Sequence, residues 1–161
     1  MAETGAAPKR SRLFVLMAVT LFLLVGSWLL TRQEEIGTII VSFPNGRQIE
    51  TEAADTPEKI FFGLAFREEL PHGGGMVYIY EKSDRHRIQT KGFTFPVDLI
   101  WADESRHVVH VLEQVAPCPK DPCPSYGPPP DNARYVILTA KGFVGAEQVT
   151  PGMELKFTLR M

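Results

Sequence analysis

The chain has 161 residues, of which 44% are hydrophobic and 22% are charged, and its formal net charge is −2. These proportions are typical of a folded domain with a short accessory segment, and they exclude a disordered chain. The charge is uneven, because residues 1–32 carry +3 and the remainder carries −5. An acidic domain is a poor match for DNA or RNA, so we predict no nucleic-acid partner.

The first predicted element is a transmembrane helix over residues 13–31, a stretch without a charged side chain. About 20 apolar residues cross ~30 Å of hydrocarbon, so the stretch is just long enough. Basic residues precede it and two glutamates follow it, which predicts a cytoplasmic segment at residues 1–12. We therefore predict a single-pass signal anchor in a bacterial cytoplasmic (inner) membrane, in contact with the lipid bilayer, with the C-terminal domain in the periplasm.

A cleaved signal peptide is the alternative for this segment. Small residues at 25–27 suit a signal peptidase, with cleavage after Ser27. The apolar run, however, continues through Trp28, Leu29 and Leu30, and Trp28 suits an interfacial anchor. Both alternatives export the domain, and a linker of only residues 32–37 would hold it close to the membrane.

The remaining residues, 38–161, are predicted to form one β-rich domain. Runs of β-branched and aromatic residues alternate with turn signals and predict strands at 37–43, 47–53, 76–80, 86–91, 97–101, 108–112, 134–140 and 155–159. Thr56 followed by Pro57 predicts the start of a short amphipathic helix over 57–66, and 143–148 predicts a helical turn. The predicted fold class is mainly β, a small β-barrel or sandwich with one or two short helices.

The only two cysteines, Cys118 and Cys123, are spaced C-x4-C among prolines. Prolines prevent the helix that follows the C-x-x-C of a thioredoxin-like redox site. No second pair of zinc ligands lies suitably near, so we predict no metal site. The pair predicts a disulfide that closes a small loop, worth about 2 kcal/mol. Two reduced thiols in a rigid loop are the alternative.

Several short stretches together resemble one known family. They are Thr56-Pro57-Glu58, Gly63-Leu64-Ala65-Phe66-Arg67, Leu70-Pro71, Gly75-Met76, Lys91, Pro96-Val97-Asp98 and the Cys-Pro segment from Val115 to Gly127. In this order they resemble the DUF192 family of small β-barrel proteins, over about residues 38–160. The resemblance implies a compact, commonly exported β-barrel and no assigned activity.

The chain departs from that family in one stretch. Members usually carry an aromatic-Trp-Met-Lys-Asn-Thr sequence, whereas residues 88–93 here read Ile-Gln-Thr-Lys-Gly-Phe and keep only the lysine, Lys91. If the usual stretch lines a ligand pocket, much of that pocket has changed in this protein.

Two residues are candidates for a ligand site. Lys91 and Asp98 are expected near the mouth of the barrel, where a Lys–Asp pair can do acid–base work if burial shifts their pKa values. A structural ion pair is the more common outcome for such residues, so we predict no catalytic residue and no cofactor.

Candidate partner contacts lie in two loops. Phe93 and Phe95 flank a predicted loop, and aromatic side chains in loops often bind partners. The proline-rich segment, with Pro119, Pro122 and Tyr126, is stiffened before binding and so loses little entropy when it binds.

These features predict a non-catalytic, membrane-anchored accessory or scaffold subunit that docks its β domain on a larger membrane protein complex. A respiratory, photosynthetic, secretion or envelope-assembly complex would fit. A periplasmic domain that binds a small ligand is the first alternative, and an enzyme that uses Lys91 and Asp98 is the weaker one.

Overall fold

The computed structural model describes residues 9–30, 37–71 and 74–160, with side chains described from residue 13 to 27 in the first range. The chain divides into two compact units, residues 1–35 and 36–161. The linker predicted at 32–37 lies outside the described residues except for Gly37, as does most of the predicted cytoplasmic segment.

Helix α1 of the first unit spans Lys9–Leu30. Its run of Leu, Val, Phe, Ala and Met contains no proline, and the side chains of residues 13–25 are exposed. No helix in the described residues combines the length and the apolarity needed to cross a membrane. The prediction of a transmembrane helix over 13–31 is therefore not supported.

The second unit is mainly β, as predicted. Its strands and helices are β1 (Thr38–Ser42), β2 (Gln48–Ala54), α2 (Pro57–Phe62), β3 (Gly75–Asp84), β4 (Ile88–Gln89), β5 (Val97–Ala102), β6 (Val108–Val115), β7 (Ser125–Tyr126), β8 (Ala133–Ala140), α3 (Phe143–Ala146) and β9 (Lys156–Arg160). All eight predicted strands are present in the structure, although β4 covers only Ile88–Gln89 and not the whole of residues 86–91.

Seven strands form one mixed sheet in the order β6-β5-β8-β3-β2-β1-β9. All neighbours are antiparallel except β2 and β3, which are parallel and joined by a crossover that contains α2. The sheet curls until its two edges approach. Residues just before β6 and β9 meet in a bridge between His107 and Glu154, and the Leu155 N–H donates to the Arg106 carbonyl at 2.9 Å. These contacts between its two edges mean that the sheet is curved, with one concave and one convex face.

Successive side chains of a strand point to opposite faces of the sheet, and they pack there in two hydrophobic clusters. On β5, Ile100 and Ala102 enter the inner cluster, which lies on the concave side and includes Val144 of α3. Leu99 and Trp101 enter the outer cluster on the other face. The inner cluster is filled by side chains from β1, β2, β3, β5, β6, β8 and α3. The outer face is covered by α2 and by the two-stranded ribbon of β4 and β7.

Two local features differ from the predictions. Helix α2 ends at Phe62 and not at Phe66, because the chain turns at Gly63. Strand β7 was not predicted, because prolines surround it and its two residues pair only with β4. The predicted disulfide between Cys118 and Cys123 is confirmed.

Candidate functional site

One wall of the candidate site is the short helix α2. The side chain of Thr56 caps the helix by accepting a hydrogen bond from the Lys59 N–H at 3.3 Å, and Pro57 occupies the first turn, where its missing N–H loses no bond. The helix ends at Phe62 and is capped by Gly63, whose φ of +48° is left-handed. A Cβ there would lie 1.8 Å from the Tyr78 hydroxyl oxygen. Only glycine therefore lets the helix end approach the sheet this closely.

A groove of about 420 Å³ opens between α2, β3 and the β4–β7 ribbon, and we call it the aromatic groove. Its apolar wall comes from α2 and the following turn: Ile60, Phe61, Phe62, Ala65 and Phe66. Its polar lining comes mainly from the sheet and the ribbon: Tyr78, Tyr80, Arg87, Gln89, Lys91 and Ser125. This volume and this mixture of apolar walls with a few polar groups are typical of ligand sites.

Three phenylalanines of the apolar wall are exposed, and we call them the aromatic patch. Phe61, Phe62 and Phe66 expose 80%, 55% and 82% of their surface. The rings of Phe61 and Phe62 meet edge to face, with centroids 5.3 Å apart. Large apolar side chains exposed side by side are typical of binding surfaces.

The turn that carries Phe66 is held in a strained conformation. Phe66 has a φ of +63°, a left-handed value that costs a non-glycine residue ~1–2 kcal/mol. Its N–H donates to the Gly92 carbonyl at 2.9 Å. A Cβ on Gly92 would lie 3.0 Å from that of Ala65, so the two segments are in close contact. The aromatic patch is thus fixed against the residues that follow Lys91.

Two tyrosines give the groove its neutral polar groups. Burial raises the pKa of Tyr80 to about 12 and also raises the pKa of Tyr78, so both are neutral O–H groups near pH 7. The Tyr80 ring stacks on His86, with centroids 3.6 Å apart and planes 8° apart. Within the described part of the chain the Tyr80 hydroxyl has no hydrogen-bond partner, which leaves it available to a ligand.

Arg87 and Lys91 bring positive charge to the groove. Arg87 Nη1 donates to the Gly127 carbonyl at 3.0 Å, which positions the guanidinium without neutralising it. Lys91 Nζ pairs with Asp121 at 2.5 Å, and both of these side chains are largely exposed. No described residue that lines the groove is acidic. The local charge is therefore opposite in sign to the net charge of the chain.

The disulfide holds the loop that supplies Asp121. The Cys118 carbonyl accepts a hydrogen bond from the Gly92 N–H at 2.8 Å, and the Cys118 N–H donates to the Thr90 carbonyl at 3.1 Å. The covalent loop is thus bonded to the residues on both sides of Lys91, and it supports that side of the groove.

Asp98 lies on the opposite face of the sheet. It is fully buried, and its two carboxylate oxygens accept hydrogen bonds from the Gln114 N–H at 2.8 Å and the Val144 N–H at 2.9 Å. Val144 belongs to the inner cluster, whereas Lys91 lines the groove on the outer face. The structure therefore does not bring Lys91 and Asp98 together. Asp98 attaches α3 and β6 to β5, which is a structural role.

Metal binding finds no support in the residues that the structure describes, since no group of three or more His, Cys, Asp or Glu side chains is placed to hold an ion. The expectation that the protein uses no cofactor stays a prediction.

Comparison with known proteins identifies the family. The model of DUF192, described as an uncharacterized ACR, matches residues 40–157. This chain belongs to the DUF192 family. The sequence resemblance noted above is thereby confirmed over nearly the whole second unit.

Two crystal structures are similar to this DUF192 chain. One is a Sinorhizobium meliloti 1021 protein described as a "putative transcription regulator", with a TM-score of 0.63, 19% identity, and coverage of 75% of this chain and 92% of that one. The other is a protein of unknown function from Novosphingobium aromaticivorans DSM 12444, with a TM-score of 0.60, 21% identity, and coverage of 74% and 83%. At these identities the likeness shows the fold alone. Curated proteins give no match.

Residues 88–93, where the resemblance predicts a departure from other DUF192 members, lie along the aromatic groove. Ile88, Gln89, Lys91 and Gly92 all line it. The stretch in which the resemblance predicts a departure from the family therefore contributes to the lining of the groove, and Lys91 belongs to that lining.

The structure buries some of the predicted partner contacts and exposes others. Phe93 is only 2% exposed and packs in the outer cluster, so its prediction as a surface contact is wrong: the loop folds inward over the sheet. Phe95 and Tyr126 are half-buried against the same cluster. Pro119 and Pro122 are exposed, and Pro119 also lines the groove.

The sequence reasoning missed the aromatic patch, Tyr80 and Arg87. It predicted one amphipathic helix over 57–66 and assigned no binding role to Phe61. Instead Leu64, beyond the helix end, is fully buried while Phe61 is exposed. One signal was available: the adjacent residues Phe61 and Phe62 lie 100° apart on a helix and seldom both face the core.

Proposed function

We propose that this chain is a non-catalytic, membrane-tethered accessory subunit that docks its exported β domain on a larger membrane protein complex through the aromatic patch. The observation that carries the proposal is the exposure of Phe61, Phe62 and Phe66 on one short segment. Aromatic side chains dominate the binding energy of many protein interfaces. A respiratory, photosynthetic, secretion or envelope-assembly complex fits this description.

The tether is the predicted signal anchor, although no described helix is long and apolar enough to span a membrane by itself. Most side chains of residues 13–25 are apolar and exposed on α1, and such a surface favours an apolar environment. Lipid together with a membrane-embedded partner supplies it, with the basic N-terminus in the cytoplasm and the β domain in the periplasm. The disulfide agrees with an oxidising compartment.

The separation of Lys91 from Asp98 supports a non-catalytic role. The enzyme alternative relied on this pair for acid–base chemistry, and the two side chains lie on opposite faces of one sheet. A carboxylate that accepts two backbone hydrogen bonds in a filled core is not accessible to a substrate.

The test is co-migration with a membrane complex. The full chain is extracted under gentle conditions, separated by native electrophoresis and identified by mass spectrometry together with the proteins that migrate with it. We expect the wild type to migrate with one membrane complex of constant composition, and the double variant Phe61→Ser/Phe66→Ser to migrate alone at 18.0 kDa.

Leu159→Ser is the matched control, because Leu159 is 71% exposed on the edge strand β9 and does not line the groove. It should leave the complex intact. A wild-type chain that migrates alone, or a patch variant that stays in the complex, would contradict the proposal.

A second candidate function is the binding of a small ligand in the aromatic groove. Its volume of about 420 Å³ and its unpaired Tyr80 hydroxyl favour this role. The groove lies on the outer face, since the concave side of the sheet is filled by the inner cluster. Such a domain would bind its ligand whether or not it is part of a complex, which separates the two candidates.

A further inference from the structure

We propose that the aromatic groove binds an alkyl monocarboxylate, with the alkyl chain along the α2 wall and the carboxylate at Arg87. This inference rests on the small-ligand candidate above and names the chemical class of the ligand. It does not require the docking role.

The charges of the groove select an anion. Arg87 and Lys91 line it, and no acidic residue does so in the described ranges, although the chain as a whole is acidic. A cationic site on a negatively charged protein is therefore a local arrangement and not a consequence of composition. A cationic ligand would be repelled there.

The two cations are not equivalent. Lys91 already has Asp121 as its counter-ion, whereas the partner of Arg87 is the neutral carbonyl of Gly127. The guanidinium has five N–H donors in a planar fork, so its remaining donors can take a carboxylate. Arg87 is therefore the principal anchor, and Lys91 adds a smaller attraction.

The apolar side chains of the groove favour a ligand with an alkyl chain. Ile60, Phe62 and Ile88 line it, and Phe61 and Phe66 extend this surface into solvent. An alkyl chain that covers these side chains removes apolar surface from water at about 25 cal/mol per Å². The neutral hydroxyl of Tyr80 can donate to the carboxylate without repelling it.

The experiment uses the full chain in phosphatidylcholine nanodiscs and a photoactivatable diazirine analogue of dodecanoic acid. After photolysis and digestion, mass spectrometry locates the label. We expect it on peptides that contain residues 57–66 and 87–92, which form opposite sides of the groove. Unlabelled dodecanoate should compete about tenfold better than dodecanol, because only the acid gains a charge-assisted hydrogen bond. Dodecyltrimethylammonium should compete worst.

Variants test the anchor. Arg87→Gln should raise the concentration for half-maximal labelling about tenfold, and Lys91→Gln should raise it less, because Asp121 already neutralises Lys91. Lys141→Gln is the matched control, since Lys141 is exposed and does not line the groove. It should behave as the wild type.

Label found only on α1, equal competition by dodecanol, or equal behaviour of Arg87→Gln and Lys141→Gln would each overturn the inference. If labelling occurs only in lipid-free detergent, phosphatidylcholine itself competes for the groove. This result would assign the groove to a phospholipid and would also overturn the inference. If the chain migrates with a complex but is not labelled, the ligand proposal fails and the docking role remains. If the chain is labelled but migrates alone, only the docking role is contradicted.

Discussion

The hydrophobic side chains on the two faces of the sheet are covered in different ways. On the concave face, the curvature of seven strands brings their side chains together, and α3 fills the remaining space. On the convex face the side chains point away from one another, so separate elements must cover them. Helix α2, the β4–β7 ribbon and the disulfide loop provide that cover, and the aromatic groove is the space that they leave open.

This difference separates stability from binding. The buried carboxylate of Asp98 serves the closed face, where its oxygens join β5 to α3 and β6. The exposed phenylalanines and cations belong to the covered face, where a gap between elements is accessible. Substitutions on the concave face should therefore reduce stability, and those around the groove should reduce binding.

Apart from the buried Leu99, which serves below as a contrast, the largest effect is expected for Asp98→Ala on the concave face. Two backbone N–H groups would lose a charged acceptor in a filled core, so we expect the free energy of unfolding to fall by about 3 kcal/mol. Chemical denaturation measures it. Asp121→Ala, which removes an exposed carboxylate, should cost less than about 1 kcal/mol. Equal losses would refute the structural role of Asp98.

Gly63→Ala tests how closely α2 packs against β3. The left-handed φ and the contact of the new Cβ with the Tyr78 hydroxyl should together cost about 2–3 kcal/mol of unfolding free energy. Gly152 also has a positive φ, but open space surrounds it, so Gly152→Ala should cost only about 1 kcal/mol. If thermal or chemical unfolding gave the same value for both, the close approach of α2 to β3 would be in doubt.

The double variant Cys118→Ser/Cys123→Ser tests the disulfide loop. Its removal should lower the unfolding free energy by about 2 kcal/mol, because the unfolded chain regains the freedom of a short loop. The wild type in reductant should show the same loss, and the variant should not respond to reductant. A reductant effect on the variant would point to another cause.

The smallest stability effect is expected in the aromatic patch. Phe61→Ser/Phe66→Ser should change the unfolding free energy by no more than about 0.5 kcal/mol, because both side chains are already exposed. Leu99→Ala, a fully buried contrast in the outer cluster, should cost about 2–5 kcal/mol. A large loss in the patch variant would show that these rings support the fold.

Sequence patterns predicted most strands because period-2 alternation and β-branched composition are local properties. They also predicted the start of α2 at Thr56 and Pro57 and the disulfide. They failed at β7, which pairs only with β4 and lies among prolines, and at the end of α2, where the close approach of Tyr78 requires Gly63.

The sequence by itself determined the mainly β class, the positions of most strands, the Cys118–Cys123 pair and the family. Only the tertiary structure decided that Lys91 and Asp98 face opposite sides of the sheet, that Phe93 is buried and that Phe61 is exposed. The reason is physical. Local composition sets the backbone conformation, but the direction and burial of a side chain depend on which distant strands and loops pack against it.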